Sequence, residues 1–129
     1  MEAAAFLCHD GRMRTVLIVD DHPTFRATAR TLLEEEGFQV VGEAADGVSA
    51  VAAVARLQPE VVLLDIQLPD IDGFEVAKRL SRNGMRTQVV LTSSRDEADF
   101  GSLVEQSGAR GFVAKDELSG AAISALLHE

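Results

Sequence analysis

Five polar residues sit where short apolar runs end. Asp20 and Asp21 follow Thr15–Val19, Asp65 follows Val61–Leu64, Ser93 closes Val89–Ser93, and Lys115 follows Gly111–Ala114. An aspartate after a strand commonly starts a loop or caps a helix. All five positions falling on the same kind of boundary is a less ordinary pattern. Carboxylates about 5 Å apart at an effective dielectric near 20 repel by about 3 kcal/mol per pair, so they either protonate or gather a cation. Hard oxygen donors with room left for water and phosphate suit Mg²⁺, which takes few protein ligands. Zinc fits poorly, because His9, His22 and His128 have no paired-ligand spacing and Cys8 has no partner. His22 reads as a loop or helix-entry residue. A carboxylate beside metal-holding neighbours, a hydroxyl and an ammonium is equipment for phosphoryl transfer to an acyl oxygen. In that chemistry Asp65 is the in-line nucleophile and Asp20 and Asp21 hold the metal. Ser93 and Lys115 meet the phosphoryl oxygens.

That chemistry requires the five residues to share one rim, and the elements around them predict it. Strands are expected at Thr15–Val19, Phe38–Val41, Val61–Leu64, Val89–Ser93 and Gly111–Ala114. The first, third and fourth are continuous Val/Ile/Leu runs, as strands covered on both faces require. Helical stripes lie between them. The first comprises Phe25, Ala29, Leu32 and Leu33, with Pro23 in the first turn and Gly37 as the stop. The second is Val48, Val51, Ala52 and Ala55 after an Asp46-Gly47 turn, and the third is Phe74, Ala77 and Leu80, ending near Gly84. Phe100, Leu103, Val104 and Ser107 make a weaker fourth before Gly108, and Leu118, Ala122, Ala125 and Leu126 a fifth. Strands alternating with helices predict an α/β fold with a parallel sheet, right-handed crossovers and helices on both faces. In such sheets ligands bind outside the carboxyl ends of the strands.

Composition sets the outer bounds. A chain of 129 residues with 47% apolar content makes one domain with a real core. Its net charge of −9 repels phosphate backbones, so no direct nucleic-acid contact is expected of this segment. The longest apolar runs, Ala3–Cys8 and Ala50–Ala55, are far too short to cross a membrane. Residues 1–13 show neither helical nor strand periodicity and read as a flexible N-terminal extension, leaving 14–129 as the folded domain. A lone cysteine fits a reducing compartment, and the expected location is cytoplasmic.

The quoted residues occur in four segments: Val19-Asp20-Asp21-His22-Pro23, Asp65-Ile66-Gln67-Leu68-Pro69-Asp70-Ile71-Asp72-Gly73, Leu91-Thr92-Ser93 and Gly111-Phe112-Val113-Ala114-Lys115. In this order and spacing the chain resembles a response-regulator receiver domain of two-component signalling over about residues 14–127. The resemblance implies a flavodoxin-like (βα)5 three-layer sandwich whose five-stranded parallel sheet has the order 2-1-3-4-5. It implies that Asp65 is the phosphoacceptor. Asp20, Asp21, Asp65 and the backbone carbonyl of Gln67 would hold Mg²⁺. Ser93 would be the switch hydroxyl, preferred over Thr92 for its 22-residue distance to Lys115, which would pair with the phosphate. Phe112 would be the aromatic that swings inward on phosphorylation, and Gly73 a turn glycine tolerating positive φ. Many relatives carry proline after the lysine, often in cis. Asp116 stands there here, so a trans bond is expected. Lys115-Asp116-Glu117-Leu118 resembles the NarL-type subfamily, whose members usually append a helix-turn-helix DNA-binding output domain absent from these residues.

The implied partners are a sensor histidine kinase or small phosphodonor, and a second copy of the domain after phosphorylation. The face made by the fourth helix, fifth strand and fifth helix would change state to control the output. The domain would catalyse its own phosphorylation and dephosphorylation without being a conventional enzyme. A haloacid-dehalogenase-type phosphohydrolase also phosphorylates an aspartate after a strand. It needs a second aspartate two positions on, where this chain has Gln67. A receiver that only binds partners is the other rival, and the complete polar set opposes it.

Overall fold

The first strand, β1 (Thr15–Val19), pairs in parallel with both β2 (Gln39–Ala44) and β3 (Val61–Asp65) in the computed structural model, which describes residues 13–82 and 86–127. β3 pairs with β4 (Gln88–Ser93), and β4 with β5 (Gly111–Ala114), giving the order β2-β1-β3-β4-β5 that the resemblance implied. The helices are α1 (Pro23–Glu35), α2 (Gly47–Leu57), α3 (Gly73–Arg82), α4 (Leu103–Gln106) and α5 (Gly120–Ser124). Residues 1–12, nearly all of the expected extension, and the expected stop at Gly84 lie outside the described residues.

Side chains alternate across the central strands, so two cores form. Leu17, Val19, Val62, Leu64, Val89 and Leu91 face the side covered by α2, α3 and α4. Val16, Ile18, Val61, Leu63, Val90 and Val113 face α1 and α5. Burial on both faces explains why β1, β3 and β4 read as unbroken apolar runs rather than as alternation.

Local chemistry sets the helix ends. Pro23 opens α1, where the missing N–H costs nothing, and Gly37 (φ 99°) follows its end. Asp46 caps α2 by accepting from the Ser49 amide at 2.7 Å, and Gln58 ends it in the left-handed region. Asp72 accepts from the Glu75 amide at 2.8 Å, and Ser119 from the Ala122 amide at 3.0 Å.

Four expectations need correction. β2 continues past Gly42 to Ala44, because a register shift at Val16/Leu17 pairs Leu17 with Gly42 and skips Val41. The glycine belongs to the strand: a Cβ there would meet Leu57 Cδ1 at 2.8 Å. In α2 the buried residues are Gly47, Ala50, Ala53 and Val54, whereas Val48 is exposed. The fourth stripe is divided, with a 3-10 turn at Glu97–Phe100, Gly101 at φ 58°, and then the short α4. Val104 and Ser107 are buried but Leu103 is exposed. The fifth stripe is shifted, since α5 buries Ile123 and leaves Ala125 exposed. The third stripe holds, with Phe74, Ala77 and Leu80 all buried.

Candidate functional site

β1, β3, β4 and β5 end on the same edge of the sheet and bring their polar residues together there. Asp20 is fully buried and Asp65 is 2% exposed, whereas Asp21 stands at the surface. Lys115 reaches over from the end of β5. Its Nζ lies 2.6 Å from Asp20 Oδ2, an ion pair without hydrogen-bond alignment, and 3.6 Å from Asp65 Oδ2. The same ammonium sits 4.5 Å from the centre of the Phe25 ring, whose negative face favours a cation.

Asp65 Oδ1 accepts from the Gln67 amide at 3.3 Å, while the buried Oδ2 accepts no hydrogen bond among the described residues. Burial raises the Asp65 pKa to about 6, with the Asp20 charge adding to the effect and Lys115 opposing it. Buried carboxylates of like charge are costly, and one ammonium does not satisfy two of them. The donor set fits a hard divalent cation: Asp20, Asp21, His22 and Asp65 offer ligand atoms all within 4.8 Å of one another.

β4 presents Thr92 and Ser93 to opposite faces, and their hydroxyls are used differently. Thr92 Oγ1 donates to the Val113 carbonyl at 2.6 Å and is thereby committed to β5. Among the described residues, Ser93 Oγ accepts a loop amide, from Arg95 at 3.1 Å. Ser93 follows Val89 and Leu91 on the face that also holds Phe112, which is partly buried and 5.9 Å from the Phe100 ring centre. Gln67 is exposed.

The loop after β3 is held at both ends. A Cβ on Gly73 would lie 2.6 Å from the Asp65 carbonyl oxygen and 2.8 Å from Ile66 Cα. Gly73 is not among the glycines with positive φ, so close backbone approach, rather than the expected turn conformation, requires glycine. Asp70 accepts from the Gly47 and Val48 amides at 2.8 and 2.9 Å, fastening the loop to the start of α2. Those amide bonds hold its pKa down at about 2. No cis peptide occurs among the described residues, as expected for Lys115-Asp116.

Sequence reasoning gave no part at this edge to three residues, His22, Arg26 and Asp70. His22 places Nδ1 3.0 Å from both Asp20 Oδ1 and Asp21 Oδ1. Arg26 donates to the Asp20 carbonyl at 2.6 Å and pairs with Glu43 on β2, and Arg30 joins the same carboxylate. Asp70 is the third. The adjacency of His22 to the acidic pair was a signal in the sequence. Nothing local marked Asp70 or Arg26.

Residues 16–126 match the response regulator receiver domain family. The chain belongs to that family. The receiver is 40% identical over 102 residues to the virulence-factor transcription regulator BvgA of Bordetella pertussis, covering 79% of this chain and 49% of the relative. It is 41% identical over 103 residues to the nitrate/nitrite response regulator NarP of Escherichia coli, covering 78% and 47%. It thus spans about half the length of the curated relatives it matches. Among solved structures, the signal receiver domain of the response regulator NarL from Mycobacterium tuberculosis is 35% identical, with a TM-score of 0.79 over 88% of this chain and 96% of that one. The structure of the CheX–CheY–BeF3–Mg²⁺ complex from Borrelia burgdorferi shares the fold at TM-score 0.83 and 24% identity, over 98% and 95%. The protein is a receiver of two-component signalling. No helix among the described residues is long and apolar enough to cross a membrane.

Proposed function

We propose that this receiver accepts a phosphoryl group on Asp65 from a histidine kinase or small phosphodonor and thereby changes the face formed by α4, β5 and α5. One observation carries the reading. A buried carboxylate ends the central strand with one oxygen that accepts no hydrogen bond among the described residues, facing an ammonium 3.6 Å away. Such an oxygen is free to attack phosphorus in line, and desolvation keeps water from competing for it.

Asp20, Asp21, Asp65 and the Gln67 carbonyl are the proposed holders of Mg²⁺. The bound ion would supply neutralisation of phosphoryl-oxygen charge. The protein's own groups do the rest. Lys115 leaves its pairing with Asp20 to meet a phosphoryl oxygen, and the Ser93 hydroxyl donates to another. Drawing Ser93 toward Asp65 vacates space on the α3–α4 side of the sheet, and Phe112, its neighbour on that face, moves inward. Thr92 stays bound to β5. Attack of water on the acyl phosphate ends the signal in the same site. BvgA, of which this chain covers 49%, is a transcription regulator by name. The reading extends that to a DNA-binding output controlled by this domain, to pairing of phosphorylated copies, and to a cytoplasmic location.

The test is incubation with acetyl phosphate and Mg²⁺ followed by intact mass, beside Asp65→Asn. One Mg²⁺-dependent phosphoryl adduct, absent from the variant, is the expected result. If wild type gains no adduct and also fails to bind beryllofluoride, Asp65 is not a phosphoacceptor.

A further inference from the structure

We infer that Phe25 is a positioning residue for the phosphoryl step: the face of its ring holds the Lys115 ammonium beside Asp65 without committing the ammonium protons to a carboxylate. The inference rests on the proposed reading of Asp65 as phosphoacceptor and deepens it, because it names what places the ammonium before a phosphoryl group arrives.

A lysine side chain is a flexible stem ending in a compact charge, so its surroundings have to set its place. Lys115 leaves a four-residue edge strand and opens a 3-10 turn at Lys115–Glu117, so β5 alone does little to aim it. Its carboxylate partners do not aim it either. Nζ lies 2.6 Å from Asp20 Oδ2 and 3.6 Å from Asp65 Oδ2, yet neither oxygen accepts a hydrogen bond among the described residues. The charges attract, but the N–H bonds point elsewhere. The Phe25 ring, its centre 4.5 Å from Nζ, supplies the missing constraint. An aromatic face attracts a cation within about 6 Å of its centre and makes little demand on where the N–H bonds point.

The ring is itself held. Phe25 is the third residue of α1 and packs on the core that faces α1 and α5. Arg26, the next residue, donates to the Asp20 carbonyl at 2.6 Å and pairs with Glu43 on β2 at 3.0 Å. The first turn of α1 thus fixes both members of the Lys115–Asp20 pair, the acid through its main chain and the base through a ring. Only 16% of the Lys115 side chain is exposed, and desolvation strengthens a contact of this kind. An ammonium with uncommitted protons exchanges Asp20 for a phosphoryl oxygen by a small shift that stays within reach of the ring. With the negative face of the ring weakened, the ammonium turns to bond Asp20 directly, and a phosphoryl group must then compete with a formed pair.

Two measurements test this on the full chain. Lys78 and Lys115 are its two lysines, so their side-chain signals are separable by NMR. The ε-methylene protons of Lys115 should be shifted upfield by the ring current. That shift should vanish in Phe25→Leu, which keeps an apolar side chain toward the core. Next, Phe25 is replaced by its mono-, di- and trifluorinated forms, which drain negative charge from the ring face at nearly constant shape. The rate of adduct formation from acetyl phosphate and Mg²⁺ should fall at each step, by about fivefold or more across the series, with the urea midpoint unchanged. Absence of the upfield signal in wild type, a level rate along the series, or a rate that follows the urea midpoint instead of the fluorine count overturns the part given to Phe25. Each of these leaves the phosphoacceptor reading intact. A wild type that shows the upfield signal but gains no adduct and binds no beryllofluoride overturns that reading and the positioning role with it.

Discussion

Asp65 is a carboxyl group whose folded environment favours the proton, and this has a definite sign for stability. Its pKa is raised to about 6 by burial and by Asp20. In the unfolded chain it titrates near 3.9, so between about pH 4 and pH 6 the folded state holds a proton that the unfolded state has lost. The metal-free domain therefore loses stability as pH rises through that window, by up to about 3 kcal/mol from this one group. Asp65→Asn removes the effect. In urea unfolding with chelator present, the variant should be more stable than wild type at pH 7, and the gap should close toward pH 4. A gap that is constant with pH would show that Asp65 ionises as freely folded as unfolded. Cation binding should weaken below about pH 6, where protons compete for the same oxygens. The acidic residues and Lys115 were legible in the sequence because each ends a strand, and strand ends are what apolar runs reveal. His22 reads as a helix-entry residue and stands at the N-cap of α1, but only the coordinates show that Nδ1 turns back to the acidic pair.

Elements were legible in proportion to how one-sided their apolar pattern is. α3 alternates polar and apolar residues, so its buried face followed directly from Phe74, Ala77 and Leu80. α2 is apolar nearly all round, so periodicity could not choose a face. Packing did, turning its small residues Gly47, Ala50 and Ala53 toward the interior. Small residues let the neighbouring loop approach. A Cβ on Gly47 would run into the Ile71 side chain, and Asp70 closes the contact through the Gly47 and Val48 amides. Asp70→Ala should lower Tm by a few degrees at neutral pH and free the loop carrying Gln67. Because its pKa is depressed to about 2, Asp70 stabilises above about pH 4, and that contribution is lost as pH falls toward 2. Wild type and Asp70→Ala should therefore converge in melts at low pH, and a constant offset would refute the cap. The two loop glycines should also differ. Gly73→Ala drives a methyl into the backbone of Asp65 and Ile66 and should cost about 2 kcal/mol or more, whereas Gly47→Ala meets a side chain that can turn and should cost less. Equal midpoint shifts in denaturant would contradict this account.

Across the whole molecule, stability and responsiveness are unevenly distributed, and the uneven side is the one next to Ser93. β1 and β3 are buried along nearly their full length and flanked by strands on both sides. β5 is an edge strand of four residues, and α4 is a four-residue helix that buries only Val104, behind an exposed 3-10 turn and Gly101. A helix this short has no stability of its own and depends on what it packs against. The parallel sheet was legible from the sequence, but this weakness was not, because a faint stripe from Phe100 to Ser107 reads the same whether it is one helix or two fragments. The ring contacts Phe74–Phe100 and Phe100–Phe112, at 5.7 and 5.9 Å, connect α3 to β5 through the turn before α4. A pull on Ser93 that moves Phe112 must therefore disturb Phe100 first and α4 with it. Hydrogen exchange with and without beryllofluoride and Mg²⁺ should show altered protection over residues 97–114 and little change in β1 and β3, whose opening already requires global unfolding. Ser93→Ala should still bind beryllofluoride, because Asp65 and Lys115 remain, yet the change over 97–114 should largely vanish. If that variant responds like wild type, the signal does not pass through the Ser93 hydroxyl. If protection changes evenly over the sheet, the domain responds as one body and the weak α4 segment has no special part in it.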